Sequence, residues 1–324
     1  MSIPRIAVVG SYATGLTMKA ARLPGRGETL LGAGYRVDFG GKGSNQAVGC
    51  AHLGARVSFI AKIGNDAFGD GALSLYRNEG IDTTHVLRTP DAPTGVGFIT
   101  VEASTGHNCI VLDPGANELL TAEEVNACGP ALDSVSVVLT QLEIPVAAAE
   151  AAMKQGRERG AVTILNPAPA RPVPTSLLSS VDILTPNETE AAVLAGHKGQ
   201  TTTDPQQIAR KLIEQGVRTV IVTLGEKGAL IVCESSALHV PAIHVSAVDT
   251  TGAGDAFNAG LATALAFGST LEDAVRFAVI TGGLAVTREG VIPGLPTSGE
   301  VAEYYRQERL TPPQWLAAQA QMPI

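Results

Sequence analysis

Short runs rich in Val and Ile recur along this chain, and a longer amphipathic stretch follows most of them: IAVV (6–9), VSFIA (57–61), VSVVLTQLE (135–143), AVTILN (161–166), VDILTPN (181–187) and RTVIVTLG (218–225). Strands that are apolar throughout, rather than apolar at every second residue, are buried on both faces, and parallel pairing needs a helix-length crossover between them. The rhythm therefore predicts an α/β fold whose central, mostly parallel sheet is covered by helices on both faces. Helices are expected over 45–53, 67–79, 146–158, 187–195, 205–215, 254–267, 271–285 and 297–308.

Two segments break the rhythm. Residues 12–40 and 94–112 read as short alternating strands with Gly turns (ETLLGAGYRVDFGG; TGVGFITVEASTGHNCIVL) and predict a small β flap rising from the first half. No repeat or low-complexity linker divides the 324 residues. The expectation is one domain over 1–310 with the flap as an insertion, followed by a tail over 311–324. That tail, with its Pro pair and sole Trp, suits either a short docked helix or a disordered end.

Composition removes several classes of function. A hydrophobic content of 45% supplies a full core, while a net charge of −8 with 23 Lys and Arg and no basic run argues against nucleic-acid or membrane-surface partners. The four Cys lack C-x-x-C spacing and the six His form no H-x-x-x-H pair, so neither zinc nor a disulfide framework is signalled. The first apolar run is too short for a signal peptide and no stretch is long enough to span a bilayer, so a cytoplasmic location is expected.

Chemistry concentrates where strands meet helices. In AIHVSAVDTTGAGDAFNAGLATALAFG a strand leads through a Gly-rich turn into an apolar helix. The first N–H groups of a helix have no partner within it and carry partial positive charge, so this junction can hold an anion. Asp255 beside bound phosphate makes sense as a base that takes a proton from an attacking hydroxyl; the same residues also suit an ordinary helix cap. GGKGSNQAVGCAHLG (40–54) presents Lys42 and Asn45 from a flexible turn, as a polyol or phosphate site requires. It is not a P-loop, because Gly43 follows the Lys and Arg36 stands at the first Gly position, and GSYATG after the first strand lacks dinucleotide-binding spacing.

NPAPA (166–170) ends a strand in a Pro-rigid turn, and TPNETE (185–190) sets Asn187, Glu188 and Glu190 at a helix start. Acids there suit the helix dipole, the reading preferred for Glu188, and also suit a hydrated Mg²⁺, the reading preferred for Glu190. TLGEKG (223–228) is a strand-end turn that can lie beneath a nucleotide or serve as a plain hairpin.

The order GGKGSNQA, NPAPA, TPNETE, TLGEKG, DTTGAGDAF resembles that of the ribokinase, or pfkB-type, family of carbohydrate kinases, over about residues 5–307. The resemblance implies a three-layer α/β/α fold with a β lid and phosphoryl transfer from ATP to a primary sugar hydroxyl. By that resemblance Asp255 is the catalytic base, and Gly252, Ala253 and Gly254 offer main-chain N–H groups to the transferring phosphoryl. Gly41, Lys42, Asn45 and Glu143 line the sugar site. Asn187 and Glu190 serve the phosphates and Mg²⁺, while Thr223, Gly225 and Gly228 line the nucleotide site. Asp249, with main-chain oxygens of Thr251, Ala285 and Gly290, matches the family's monovalent-cation site, usually K⁺. The resemblance also implies a homodimer joined through the lid, edge to edge.

One departure bears on specificity. The family's G-S-x-N-x-D after the first strand, whose Asn and Asp bind sugar hydroxyls, reads GSYATG here, so Ala13 and Gly15 stand in those places. Either Thr14, Tyr12 or Lys19 replaces the lost contacts, or the acceptor is a deoxysugar, a modified sugar or a nucleoside. Two further readings are a silent sugar or nucleotide sensor on the kinase fold, and a phosphosugar kinase using Lys19, Arg22 and Arg36.

Overall fold

The structure, a computed structural model, describes residues 3–196 and 204–319. Its main sheet has nine strands: β1 (Arg5–Val9), β4 (Arg56–Gly64), β5 (Val86–Thr89), β8 (Val137–Gln141), β9 (Val162–Asn166), β10 (Ile183–Leu184), β11 (Thr219–Thr223), β12 (Ala229–Val232) and β13 (Ala237–Val240). Their spatial order is β13-β12-β11-β10-β9-β8-β1-β4-β5. Every pairing is parallel except β11 with β12 and β12 with β13. The strand over 181–187 is shorter than its apolar run, because the chain turns at Pro186 into a helix capped by Asn187.

Helices cover both faces. On one lie α1 (Lys42–His52), α2 (Ala67–Asn78), α8 (Ala253–Ala266), α9 (Leu271–Ala285), α10 (Val291–Gly294), α11 (Ser298–Gln307) and α12 (Gln314–Gln319); on the other lie α3 (Ala122–Ala127), α4 (Val146–Glu158), α5 (Thr175–Leu178), α6 (Glu188–Leu194) and α7 (Pro205–Glu214). Strand β1 shows the physical reason. Ile6 and Val8 point into one core and Ala7 and Val9 into the other, all with no exposure. A strand with two buried faces must be apolar at every position, which is what the IAVV run encodes.

A second, four-stranded sheet holds the segments that broke the rhythm: β2 (Ala13–Ala20), β3 (Ala33–Gly40), β6 (Val96–Glu102) and β7 (Asn108–Asp113), in the order β3-β2-β6-β7. Its junctions with the main body are pinned. Asn117 accepts from Tyr12 N (2.9 Å) and donates to Tyr12 O (2.7 Å) and Pro114 O (2.8 Å). Asp66 caps α2 through Gly69 N (2.9 Å) and accepts from Thr94 N and Oγ1 (both 2.7 Å). Burial opposes ionisation of Asp66, but these donors outweigh it and hold the carboxyl below its usual range.

Trp315 of α12 is 4% exposed and stacks on Phe267 with ring centroids 4.3 Å apart, so the tail docks as far as Gln319; residues 320–324 of the expected tail lie outside the described residues. A groove of about 600 Å³ passes this Trp. Its acid, Asp273, is taken up by Thr270 at the start of α9 (2.7 Å), and the groove lies apart from the residues assembled below.

Candidate active site

Strand order reverses at β1, which pairs with β4 on one side and β8 on the other. Crossovers on the two sides leave in opposite directions at such a point and open a crevice beyond the carboxyl ends of the strands. Ser11 follows β1, Glu143 follows β8, Asn166 ends β9 and Thr185 follows β10, so chemistry-bearing residues converge there.

The glycines of GGKG let α1 come close to this crevice. Gly41 has φ +87°, and a Cβ on it would lie 2.7 Å from Tyr12 Cα; one on Gly43 would lie 2.5 Å from Ser11 N. The approach is sealed by Glu143, which accepts from Ser11 Oγ (2.6 Å) and from the main-chain N–H of Lys42 (2.8 Å).

Asp255 sits in the first turn of α8, only 5% exposed. A buried carboxylate needs donors. Asn45 Nδ2 donates to its Oδ2 (2.8 Å) and Gln46 Nε2 to its Oδ1 (2.9 Å). Behind them Gln141 donates to Gln46 (2.5 Å), Gln46 to Asn166 (3.1 Å), and Asn166 to the carbonyl of Thr185 (3.1 Å). Thr185 in turn donates to Asn258 (2.6 Å), which donates to Gly254 O (2.8 Å). This amide chain fixes both the acid and the helix start. Sequence reasoning singled out Asn45 but missed Gln46, Gln141, Asn258 and Ser11; the available signal was polar residues in otherwise buried segments.

The helix start fits an anion. Gly252 is in the left-handed region at φ +81°, and α8 has no side-chain cap. The main-chain N–H groups of Gly252, Gly254 and Asp255 have no partner among the described residues, and a Cβ on Gly254 would enter open space. The Ala253 N–H instead points back to Thr250 O, a long contact of 3.3 Å where the turn closes.

Gly41, Lys42, Asn45, Glu143, Thr251, Gly252 and Asp255 line one cavity of about 340 Å³, closed on its far side by Ala13, Gly15, Ile99, Ile110 and Leu112 of the small sheet. Asn45 Oδ1 is buried there without a partner, an acceptor suited to a hydroxyl. Burial alone would depress the Lys42 ammonium, but Asp255, Glu143 and Glu190 outweigh it and hold its pKa above the usual lysine value. Burial raises Glu190 most; the N–H of Asn187 and the Lys42 charge oppose that shift, and Asp255 adds to it.

Asn187 and Glu190 form a reciprocal capping box, Asn187 Oδ1 accepting from Glu190 N (2.8 Å) and Glu190 Oε2 from Asn187 N (2.9 Å). Glu188 lies in the first turn of α6, where the helix dipole favours an acid, while Glu190 spends one oxygen on the box and its Oε1 stays uncommitted. Asn187 also bridges to Thr223, bringing the two expected nucleotide segments side by side. Gly225 and Gly228 have φ +57° and +95°, and a Cβ on Gly225 would meet nothing.

Asp249 accepts from Thr251 N (2.9 Å) and Gly290 N (3.0 Å), which gathers three of the four expected cation-site residues. The carbonyls of Thr251 and Ala285 receive no hydrogen bond among the described residues, whereas Gly290 O accepts from Gly294 N (3.1 Å). Of the residues expected to replace the polar side chains missing at 13 and 15, Thr14 lines the cavity and Tyr12 and Lys19 do not. Tyr12 and Thr14 are buried and pair with each other (3.0 Å), and Lys19 lies 3.6 Å from Glu289.

A doubly wound sheet with a separate β sheet over its crevice, and a buried acid at a helix end that presents free N–H groups, is an arrangement suited to the phosphotransferase class of enzyme. The family profile described as pfkB family carbohydrate kinase matches residues 4–298. Ribokinase of Haemophilus influenzae is 39% identical over 278 residues, 86% of this chain and 90% of that protein. Deoxyribokinase of Salmonella typhi is 36% identical over 300 residues, 92% of this chain and 98% of that protein. Among solved structures, ribokinase from Thermotoga maritima superimposes with a TM-score of 0.86 at 35% identity, covering 94% of this chain and 100% of its own. Arabidopsis thaliana ribokinase complexed with ribose and ATP gives 0.84 at 32%, covering 94% and 98%. The chain belongs to the pfkB family of carbohydrate kinases and has the ribokinase-like α/β fold. It is an ATP-dependent sugar kinase.

Proposed function

We propose that this kinase moves the γ-phosphoryl group of ATP to the primary hydroxyl of a pentose or related sugar, with Asp255 as general base. The observation that carries the proposal is the placement of Asp255. Its carboxylate is held by two amides, lines the cavity, and adjoins the free N–H groups of Gly252 and Gly254. A hydroxyl seated against Asp255 would lose its proton as it attacks, and the helix end would steady the charge on the transferring group. Lys42, Asn45 and Glu143 would orient the sugar, with Asn45 Oδ1 and the second oxygen of Glu143 as acceptors.

Asn187, Thr223, Gly225 and Gly228 would hold the nucleotide, the bare glycine surface at 225 admitting a flat base. Mg²⁺ takes few protein ligands beside phosphates. The one uncommitted oxygen of Glu190 fits a water-mediated hold, and the bound ion would neutralise phosphate charge. The oxygen-only set at Asp249, Thr251 and Ala285 fits a monovalent cation in chemistry, with Gly290 O already serving Gly294. The test is ADP release with ATP, Mg²⁺ and a panel of pentoses, deoxypentoses, hexoses, phosphosugars and nucleosides. Release that depends on one neutral sugar is expected, and release indifferent to every acceptor would end the reading.

The apolar wall of Ile99, Ile110 and Leu112, together with Ala13 and Gly15, favours a second reading in which the acceptor is a deoxysugar or nucleoside; a deoxyribokinase is among the relatives.

A homodimer through the lid belongs to the same proposal, with the sheet's outer face rather than the edge expected from sequence as the surface of contact. Register places Val37, Leu16, Phe98 and Val111 in one row on the face of the small sheet opposite the cavity. Val37, Phe98 and Val111 are 49%, 57% and 66% exposed, and an apolar row of that extent is well covered by a second copy of itself. Phe98→Glu is expected to convert dimer to monomer in sedimentation. A wild type that sediments as a monomer would remove this part of the proposal.

A further inference from the structure

We propose, building on the sugar-kinase reading, that Asp38 is the residue that reads the acceptor's hydroxyls at the end remote from Asp255, and that the acceptor is a neutral sugar keeping its vicinal hydroxyls there. The register of β2 against β3 pairs Gly15 with Asp38. Directly opposed residues of an antiparallel pair project from the same face. Gly15 lines the cavity, so Asp38 projects from the cavity side of the small sheet. A Cβ built on Gly15 would lie 3.7 Å from Asp38 Cβ. A carboxylate is thus present within a side chain's width of the position that β2 leaves bare.

Its neighbours orient it without consuming it. Thr17 Oγ1 and Arg36 Nε both reach Oδ2, each at 3.2 Å, and Arg36 is anchored in turn by Glu289 at 2.7 Å. Both contacts fall on one oxygen, which leaves Oδ1 for a ligand. The other polar groups near this end already have partners within the fold. Thr14 is paired with Tyr12, and all three hydrogen bonds of the Asn117 amide go to Tyr12 and Pro114. The remaining cavity side chains of the small sheet, Ile99, Ile110 and Leu112, are apolar.

Charge narrows the class further. Lys19 and Arg36 share Glu289, and Arg22 is paired with Glu28. Each cation a phosphosugar would need is thus tied to an acid, Arg36 to Asp38 as well as Glu289, and Glu143 would repel a second phosphate. A carboxylate reading vicinal hydroxyls forms charge-assisted hydrogen bonds that a deoxysugar cannot return. The bare space at Ala13 and Gly15 shifts the sugar toward β3 rather than emptying its site of recognition.

The test compares D-ribose with 2-deoxy-D-ribose as acceptors for four proteins: wild type, Asp38→Ala, Asp38→Asn, and Gly15→Asp combined with Asp38→Ala. Wild type is expected to prefer ribose. Asp38→Ala should raise the KM for ribose by about 10- to 100-fold, as loss of a hydrogen bond to a charged group implies, with kcat and the KM for ATP nearly unchanged. The KM for deoxyribose should move far less, so the ratio between the two sugars collapses. Asp38→Asn should fall between, and returning the carboxylate to position 15, where an added Cβ meets nothing closer than 3.4 Å, should restore part of the preference. A purely structural role would weaken both sugars alike, and an equal loss for both would overturn the inference. So would a wild type that prefers deoxyribose or uses neither pentose. If no sugar in the wider panel released ADP, the kinase reading itself would fail, a result distinct from these.

Discussion

Replacing Asp255 with Ala is expected to lower sugar-dependent ADP release by about 10²- to 10⁴-fold, the range a general base contributes, while ATP still binds. The loss should appear in kcat, because the carboxylate matters most when the hydroxyl proton is in flight. A stability cost of about 1–3 kcal/mol should accompany it, since Asn45 Nδ2 and the Gln46 amide lose a charged acceptor in a buried site. Single-turnover kinetics and a thermal melt, run together, separate the two effects. A variant that folds and turns over at the wild-type rate would leave the carboxylate as a helix-start fixture and open the way to the sensor reading.

Gly254→Ala should separate stability from activity in the opposite sense. Nothing lies within 4 Å of the added methyl, so the fold loses no contact, and replacing Gly by Ala in a helix favours folding by up to about 1 kcal/mol. The methyl enters the open space in front of the helix end, where a transferring phosphoryl group would be cradled. A loss of about 10²- to 10³-fold in kcat is expected, comparable to removing one donor from an oxyanion site, at an equal or higher Tm. Gly252→Ala is a useful contrast. Its φ is +81° and the new Cβ would come within 2.5 Å of Val291 Cγ1, so that variant should lose stability first. Full activity in Gly254→Ala would place the phosphoryl path elsewhere.

Together these expectations show how far a single residue's role depends on its surroundings. The TGAG stretch was legible from sequence as a helix start because Gly, Gly and Asp before an apolar helix have few other uses. That the Ala253 N–H points back to Thr250 while its neighbours stay free was not legible, because it depends on how the turn closes. Glu190 teaches the same lesson. The sequence pattern of Asn187 followed three residues later by Glu190 is both a capping box and a plausible ion site, and the tertiary structure uses one oxygen for the box and leaves the other.

The Val- and Ile-rich runs by themselves determined the α/β architecture, since only a sheet buried on both faces requires unbroken apolar strands, and the Gly-rich junctions determined where helix ends could meet a phosphate. The interrupted stretches likewise marked the small second sheet. What the tertiary structure alone decided was the company each polar residue keeps: Gln46, Gln141 and Asn166 brought together behind Asp255, and Asp38 set beside Gly15. Periodicity is a property of neighbours along the chain, so it survives in sequence. Hydrogen bonds between residues 209 positions apart, such as Gln46 to Asp255, arise from strand order and register and leave no local trace.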